Sequence, residues 1–281
     1  MNTSVTCVAG SLVIEIASVL NQIKHNKIKK SIYGLSYDYL ALTWTSDLMA
    51  VMSSINYNNN KHVKRQYGRR FPIYPDVPVD SVLVSLEMIS FLVSTALLFQ
   101  TFCIYHRTRN VNQCISGLNM FFLGALIVGL IYVIKAYSYH ESTVVLLDVI
   151  DYMWLISRTT AIVKYMPQLV MNWFGSCVVG LHPYWLVMQV TGWGLLVAGK
   201  VSARWYYHWA EVPLNFNTWL YIIVSAFCLA LYTAQERIWY KGNRPRLELF
   251  YYLEHQEHRD AYVQQESDDD IDEVSTADES V

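Results

Sequence analysis

The chain has 281 residues, 53% hydrophobic, 14% aromatic and only 16% charged, with a formal net charge of -2. The apolar residues fall in long blocks, which identifies an integral, all-α membrane protein and argues against a nucleic-acid partner. Cys7, Cys103, Cys114, Cys177 and Cys228 are scattered without paired spacing, so no disulfide framework, metal site or other cofactor is expected.

The first apolar span covers residues 5–23 and carries Glu15. Lys24, Lys27, Lys29 and Lys30 follow it and no basic residue precedes it, so the positive-inside rule sets the N-terminus on the lumenal or external side. With Glu15 in the block and no small-residue cleavage site, a cleaved signal peptide is not expected. The second span, residues 35–55, contains Asp38 and Asp47. The loop that follows, 56–80, holds Lys61, Lys64, Arg65, Arg69 and Arg70 before Pro72, Pro75 and Pro78. These prolines predict an extended, partly ordered segment and a candidate lid. Its basic residues lie on the lumenal side, so the orientation rests on the lysines after span one, Arg107 and Arg109 after span three, and the C-terminal cluster.

Span three is 82–105, with Glu87 inside it, and span four is 115–137, ending in Lys135, which snorkels to the interface. The fifth span, 143–166, is the most polar, with Asp148, Asp151, Arg158 and Lys164. Charges in lipid imply a partner or a cavity. Span six, 184–203, carries Gln189, Thr191, Gly192, Gly194, Gly199 and Lys200, and its small residues allow close helix contact. Span seven, 216–240, is followed by Lys241, Arg244 and Arg246, which set the C-terminus in the cytosol. Residues 254–281 are polar and acidic and predict a disordered, solubilising tail, with Ser267 a candidate phosphorylation site.

Pro167 lies inside a run of membrane length. It lacks an N–H and clashes with the carbonyl four residues back, so the carbonyl of Val163 loses its helical partner and must be satisfied by protein or water. Gln168 and Asn172 supply donors and acceptors beside the opened backbone or a solute. The pattern recurs without a gap. Gln22 and Asn26 have the spacing of Gln168 and Asn172, Gly34-Leu35 matches Gly180-Leu181, and Leu40 and Thr45 match Leu186 and Thr191. This is an internal repeat. Asn21 stands where the second copy has Pro167, so the first helix is not expected to kink.

The second copy, K-Y-M-P-Q-L-V-M-N-W at 164–173, resembles the K-Y-F-P-Q-x-x-M-N signature of the cystinosin-like branch of the PQ-loop family. The continuation of the first, K-S-I-Y-G-L-S-Y-D-Y-L-A-L at 30–42, is similar to that branch's K-S-x-x-G-L-S-F-D-F-x-A-L. The resemblance implies seven transmembrane helices in two parallel three-helix bundles. The first, with its degenerate motif, is residues 1–105; the linker helix lies within 106–142; the second bundle is 143–253. Both motifs would face the cytosol, with solute bound between the bundles near mid-membrane and the proline kinks acting as hinges.

By the same resemblance the chain would carry an amino acid or similar small solute, cystine among the candidates, out of a vacuole or lysosome. Golgi and endosomal membranes are the alternative residence. Membrane lipid and the solute are then its expected partners, with protons if transport is coupled; the sequence does not identify a protein partner. Pro167 and Gln168, with Asn21 and Gln22 in the first copy, would form the gate; Lys164, Asn172, Asn26, Gln189 and Asp38 would line the solute path. The family's proton-carrying aspartate on the sixth helix falls on Gln189, which cannot titrate, and a seventh-helix acid falls on Leu229. Asp80 lies close to a further family acidic position. Three readings follow: coupling moved to another acid, with Glu15, Asp38, Asp47, Asp80, Glu87, Asp148 and Asp151 as candidates; passive carriage; or a non-transporting protein of membrane trafficking or a partner subunit. Hydrolytic motifs such as G-x-S-x-G and H-E-x-x-H are missing, so an enzyme is not expected.

Overall fold

A computed structural model describes residues 3–72, 75–77, 79–108, 113–139, 143–204 and 215–243. The predicted acidic tail and Arg244 and Arg246 lie outside them. Among the described residues there is no strand, and the long helices are α1 (Thr3–Lys29), α2 (Tyr37–Asn59), α4 (Ser81–Phe99), α5 (Gly117–Ser138), α6 (Leu146–Val163), α8 (Trp185–Arg204) and α9 (Asn215–Ala234). Two shorter ones, α3 (Lys61–Arg70) and α7 (Met166–Gly175), complete the set.

Among the described residues, four segments are long and apolar enough to cross a membrane: Thr6–Lys29, Ser81–Ile104, Gly117–Ser138 and Trp219–Trp239. The chain is therefore built for a membrane. The remaining long helices are α2, α6 and α8, of which α2 and α6 pack on each other. α1 packs on α4 and α8, α2 on α4 and α6, and α9 on α6 and α8. Exchanging α1 with α6, α2 with α8 and α4 with α9 reproduces this set of pairs, which is the packing of an internal twofold repeat. α5 stands outside the exchange and packs on α6.

In lipid, apolar burial does little to hold helices together, so close contact and hydrogen bonds carry the association. A Cβ on Gly10 would lie 3.2 Å from Leu195 Cδ1, and one on Gly192 would lie 3.6 Å from Ser11 Oγ, so α1 and α8 run close. The Tyr152 hydroxyl of α6 sits directly over Gly129 of α5. An aromatic cluster joins the halves: Trp185 meets Tyr232 at 4.7 Å, Tyr165 at 5.9 Å and Tyr39 at 6.4 Å between ring centroids.

The segment after α2 differs from the expected extended lid. Residues 61–70 form α3, because Asn60 caps the helix by accepting from the His62 and Val63 amides, and the prolines all lie beyond it. Val63 and Tyr67, one turn apart, are buried in a core with Leu147, Ile150 and Met153 of α6, leaving the basic residues outward. Arg70 bonds Asp148 at 2.7 Å and Asp151 at 3.2 Å, and the Leu147 amide donates to Gln66 at 2.9 Å. α3 is thus fastened to the start of α6.

Candidate functional site

Each copy of the repeated motif holds the turn of the other copy. Gln22 Nε2 donates to the Gly180 carbonyl at 2.7 Å, and its Oε1 accepts from the His182 amide at 2.9 Å. In the second copy Gln168 Nε2 donates to the Gly34 carbonyl at 2.9 Å, and its Oε1 accepts from the Ser36 amide at 2.9 Å. Both glutamines also donate to the asparagine one turn on, Asn26 at 2.8 Å and Asn172 at 3.1 Å. Those asparagines in turn donate to Gln100 and Gln235, each at 3.1 Å. Gln100 returns a bond to the Ile23 carbonyl at 3.1 Å and Gln235 to the Leu169 carbonyl at 3.0 Å.

All six side chains are buried. Amides suit this position because each offers donors and acceptors without charge, and a buried polar group left unpaired is costly. Gln100 and Gln235 each open a π-helical turn, Gln100–Ile104 and Gln235–Trp239, at the end of α4 and α9. The helices that carry the motifs also end alike, with Lys30 at φ 49° and Ser176 at φ 48°. Gly34 and Gly180 follow, at φ 80° and 93°, with each turn backed against the other.

The copies differ where the sequence says they should. α1 runs unbroken through Asn21, which is exposed and donates to Met188 Sδ at 3.4 Å. The second copy is interrupted between α6 and α7, where Lys164 and Tyr165 form the joint and Pro167 lies in the first turn of α7. A proline there needs no N–H, and Lys164 and Tyr165 keep right-handed helical dihedrals, so the interruption is a kink.

The kink turns Lys164 inward. Its ammonium pairs with Glu15 of α1, with the lysine side chain 4% and the glutamate 24% exposed. Glu15 borders a narrow cleft with Ser11, Tyr165, Gln189, Tyr221 and Ser225. From the cleft a polar chain runs toward the motif turns. The Tyr165 hydroxyl donates to Gln189 Oε1 at 2.8 Å, Gln189 Nε2 donates to Ser18 Oγ at 3.3 Å, and Ser18 Oγ lies 3.2 Å from His182 Nε2. Burial, aided by nearby His25, lowers the pKa of His182 to about 4, against the opposing effect of the Ser18 bond.

Other residues singled out in the sequence hold structure. Asp38 is buried and accepts from the Ser116 amide at 2.9 Å and from Asn119 Nδ2 at 3.1 Å, joining α2 to the start of α5. Asp80 caps α4 through the Ser81 amide at 2.7 Å. Asp151 accepts from the Tyr57 hydroxyl and from Arg70, and Asp148 also accepts from the Val145 amide at 2.8 Å. Asp47 accepts from the Ser90 hydroxyl at 3.2 Å. Glu87 faces Ser54 and Arg158.

Sequence reasoning missed Gln100, Gln235, Ser18, His182, Tyr221 and Ser225. Gln100 and Gln235 are 74 and 63 residues from their asparagine partners, so the ungapped register that pairs the motifs does not align them. The signal that could have found them is an amide at the end of the third apolar span in each half.

Fold and site define a helical membrane protein whose two halves present one polar motif and interlock through it. No family model matches the chain. Over 252 residues the chain is 25% identical to an uncharacterised protein of Saccharomyces cerevisiae, covering 83% of this chain and 94% of that one.

Proposed function

We propose that this chain is a seven-span transporter of the PQ-loop type, cystinosin-like, that carries an amino acid or similar small solute from a vacuole or lysosome lumen to the cytosol. In this reading α1, α2 and α4 form one bundle, α6 with α7, α8 and α9 the other, and α5 links them, with the N-terminus lumenal and the motif turns cytosolic. The observation that carries the reading is the reciprocal hold of Gln22 on the Gly180 turn and Gln168 on the Gly34 turn, beside a polar cleft between the bundles. An interlocked pair of turns at one end and a polar cleft deeper in are the parts that alternating access needs. Pro167 supplies a joint in one bundle only, so the second bundle bends while α1 stays rigid.

A second reading, a non-transporting protein of membrane trafficking or a partner subunit, is favoured by Gln189. It is engaged at both ends, by Tyr165 and Ser18, and cannot titrate. Purified protein in liposomes, given a labelled panel of neutral, cationic and disulfide amino acids with and without an inward proton gradient, separates the two. Uptake that is lost in Pro167→Leu supports the transporter. Folded protein that takes up none of the panel favours the second reading.

A further inference from the structure

The two copies of the motif differ in charge as well as in the kink. α1 ends in Lys24, Lys27, Lys29 and Lys30, all exposed, and in the ungapped register the second copy has Val170, Trp173, Gly175 and Ser176 at those positions. A basic flank that served membrane orientation alone would suit both copies, because the two motif turns are backed against each other at one end of the bundle. The charge belongs to one corner of that end.

This corner gathers a fifth cation. The Ile32 amide donates to the Thr108 hydroxyl at 3.1 Å, which brings the short helical turn His106–Thr108, with its exposed Arg107, beside the turn that follows Lys30. None of the five cations makes an ion pair among the described residues. At the same end Asp38 is buried against the start of α5, and Glu236 pairs with Arg237 at 3.8 Å. Like charges gathered in this way repel, and an anion laid among them relieves the repulsion.

The described chain ends at the opposite corner. Asn243 Nδ2 donates to the Ser176 carbonyl at 2.9 Å, and Ser176 is the residue that matches Lys30. The sequence beyond turns acidic: residues 266–279 carry eight carboxylates and no lysine or arginine. Glu266 lies 23 residues past Asn243. At up to about 3.3 Å per residue the chain reaches roughly 75 Å, against about 30 Å for a bundle three helices of about 10 Å across. A tethered anion is also present at a local concentration on the order of millimolar, which a free partner seldom matches.

We propose that the acidic segment 266–279 docks on the basic corner formed by Lys24, Lys27, Lys29, Lys30 and Arg107. The segment is rooted in the second half through α9 and the corner belongs to the first. Their contact therefore clasps the halves together at the motif turns, in addition to the bonds made by Gln22 and Gln168. Salt loosens such a clasp, and a phosphate on Ser267 tightens it. The contact does not depend on the transport reading above.

The test uses the full chain in phosphatidylcholine nanodiscs. Carbodiimide coupling, which joins a carboxylate to an amine only where the two touch, is expected to link residues 266–279 to Lys24, Lys27, Lys29 or Lys30 at low salt, and several-fold less at high salt. Hydrogen exchange at residues 31–36 and 177–183 is expected to quicken several-fold when Asp268→Asn, Asp269→Asn, Asp270→Asn and Asp272→Asn are combined. Lys27→Glu with Lys29→Glu and Lys30→Glu should do the same. Adding Asp268→Lys, Asp269→Lys and Asp270→Lys to that variant should restore slow exchange, which separates a lost contact from a damaged fold. No coupling at low salt overturns the proposal, as does wild-type exchange in the aspartate variant. Coupling that disappears when phosphatidylserine is added to the nanodiscs also overturns it, because lipid headgroups then cover the corner.

Discussion

Gly180 lies against Gly34 so closely that a Cβ on it would fall inside the backbone of the Gly34–Leu35 peptide. A Cβ on Gly34 would lie 2.7 Å from Val179 Cγ2 and 2.9 Å from the Val179 carbonyl carbon. Both residues also have positive φ, which side chains disfavour. Gly180→Ala is therefore expected to cost about 3 kcal/mol or more, from strain and overpacking together. Gly34→Ala should follow it closely, whereas Gly124→Ala, with nothing within 4 Å, should melt like wild type. Thermal melts in detergent read all three.

Gln22→Leu and Gln168→Leu each remove the side chain that satisfies a carbonyl and an amide of the opposite turn. Each loss is expected to cost about 2 kcal/mol or more, since the partners stay buried. The double variant should cost less than the sum of the two singles, because the turns part once either hold is gone. A double-mutant cycle on melting free energies measures the difference.

Asn21→Pro would place in α1 the residue that the second copy carries at the same point. α1 is unbroken there, so the substitution removes a helical bond and introduces a clash, at about 3 kcal/mol. Pro167→Ala is expected to be far milder in stability, since its partner groups are already arranged around a joint. Hydrogen exchange should instead slow at residues 163–167.

His182 gives stability a pH slope. Its pKa is lowered to about 4 when folded, so the unfolded chain binds more protons between that value and the ordinary one near 6.5. The contribution is fully present above about 6.5 and is lost as pH falls toward 4. Wild type should lose melting temperature over that window, and His182→Asn should flatten the slope. Equal slopes in the two proteins would refute it.

Arg70→Ala releases α3 from Asp148 and Asp151. The arginine is 39% exposed, so the cost should stay near 1 kcal/mol and shrink with added salt. Faster hydrogen exchange confined to 61–70 is the expected readout.

Much of this was legible in the chain. The shared spacing of Gln22 with Asn26 and Gln168 with Asn172 marked the motifs, and Asn21 opposite Pro167 marked the helix that stays whole. The reciprocity of the hold was not, because nothing in a linear pattern says that a glutamine reaches the other half's turn. The three prolines after Arg70 outweighed the helix signal before them, although Asn60 as a cap and Val63 with Tyr67 one turn apart were already visible. Glu15 was visible as an acid inside an apolar span, but its lysine lies 149 residues away, and only the fold brings them together.

α5 touches both halves at once. Asp38 of α2 grips its first turn, and its Gly129 rests under Tyr152 of α6. The side where α2 meets α6 is bound shut, and the side where α1 meets α8, bordering Glu15, Gln189 and the cleft, carries no such strap among the described residues. α5 thus braces the halves along the α2–α6 seam, while on the opposite side the Glu15–Lys164 pair is itself the tie between them.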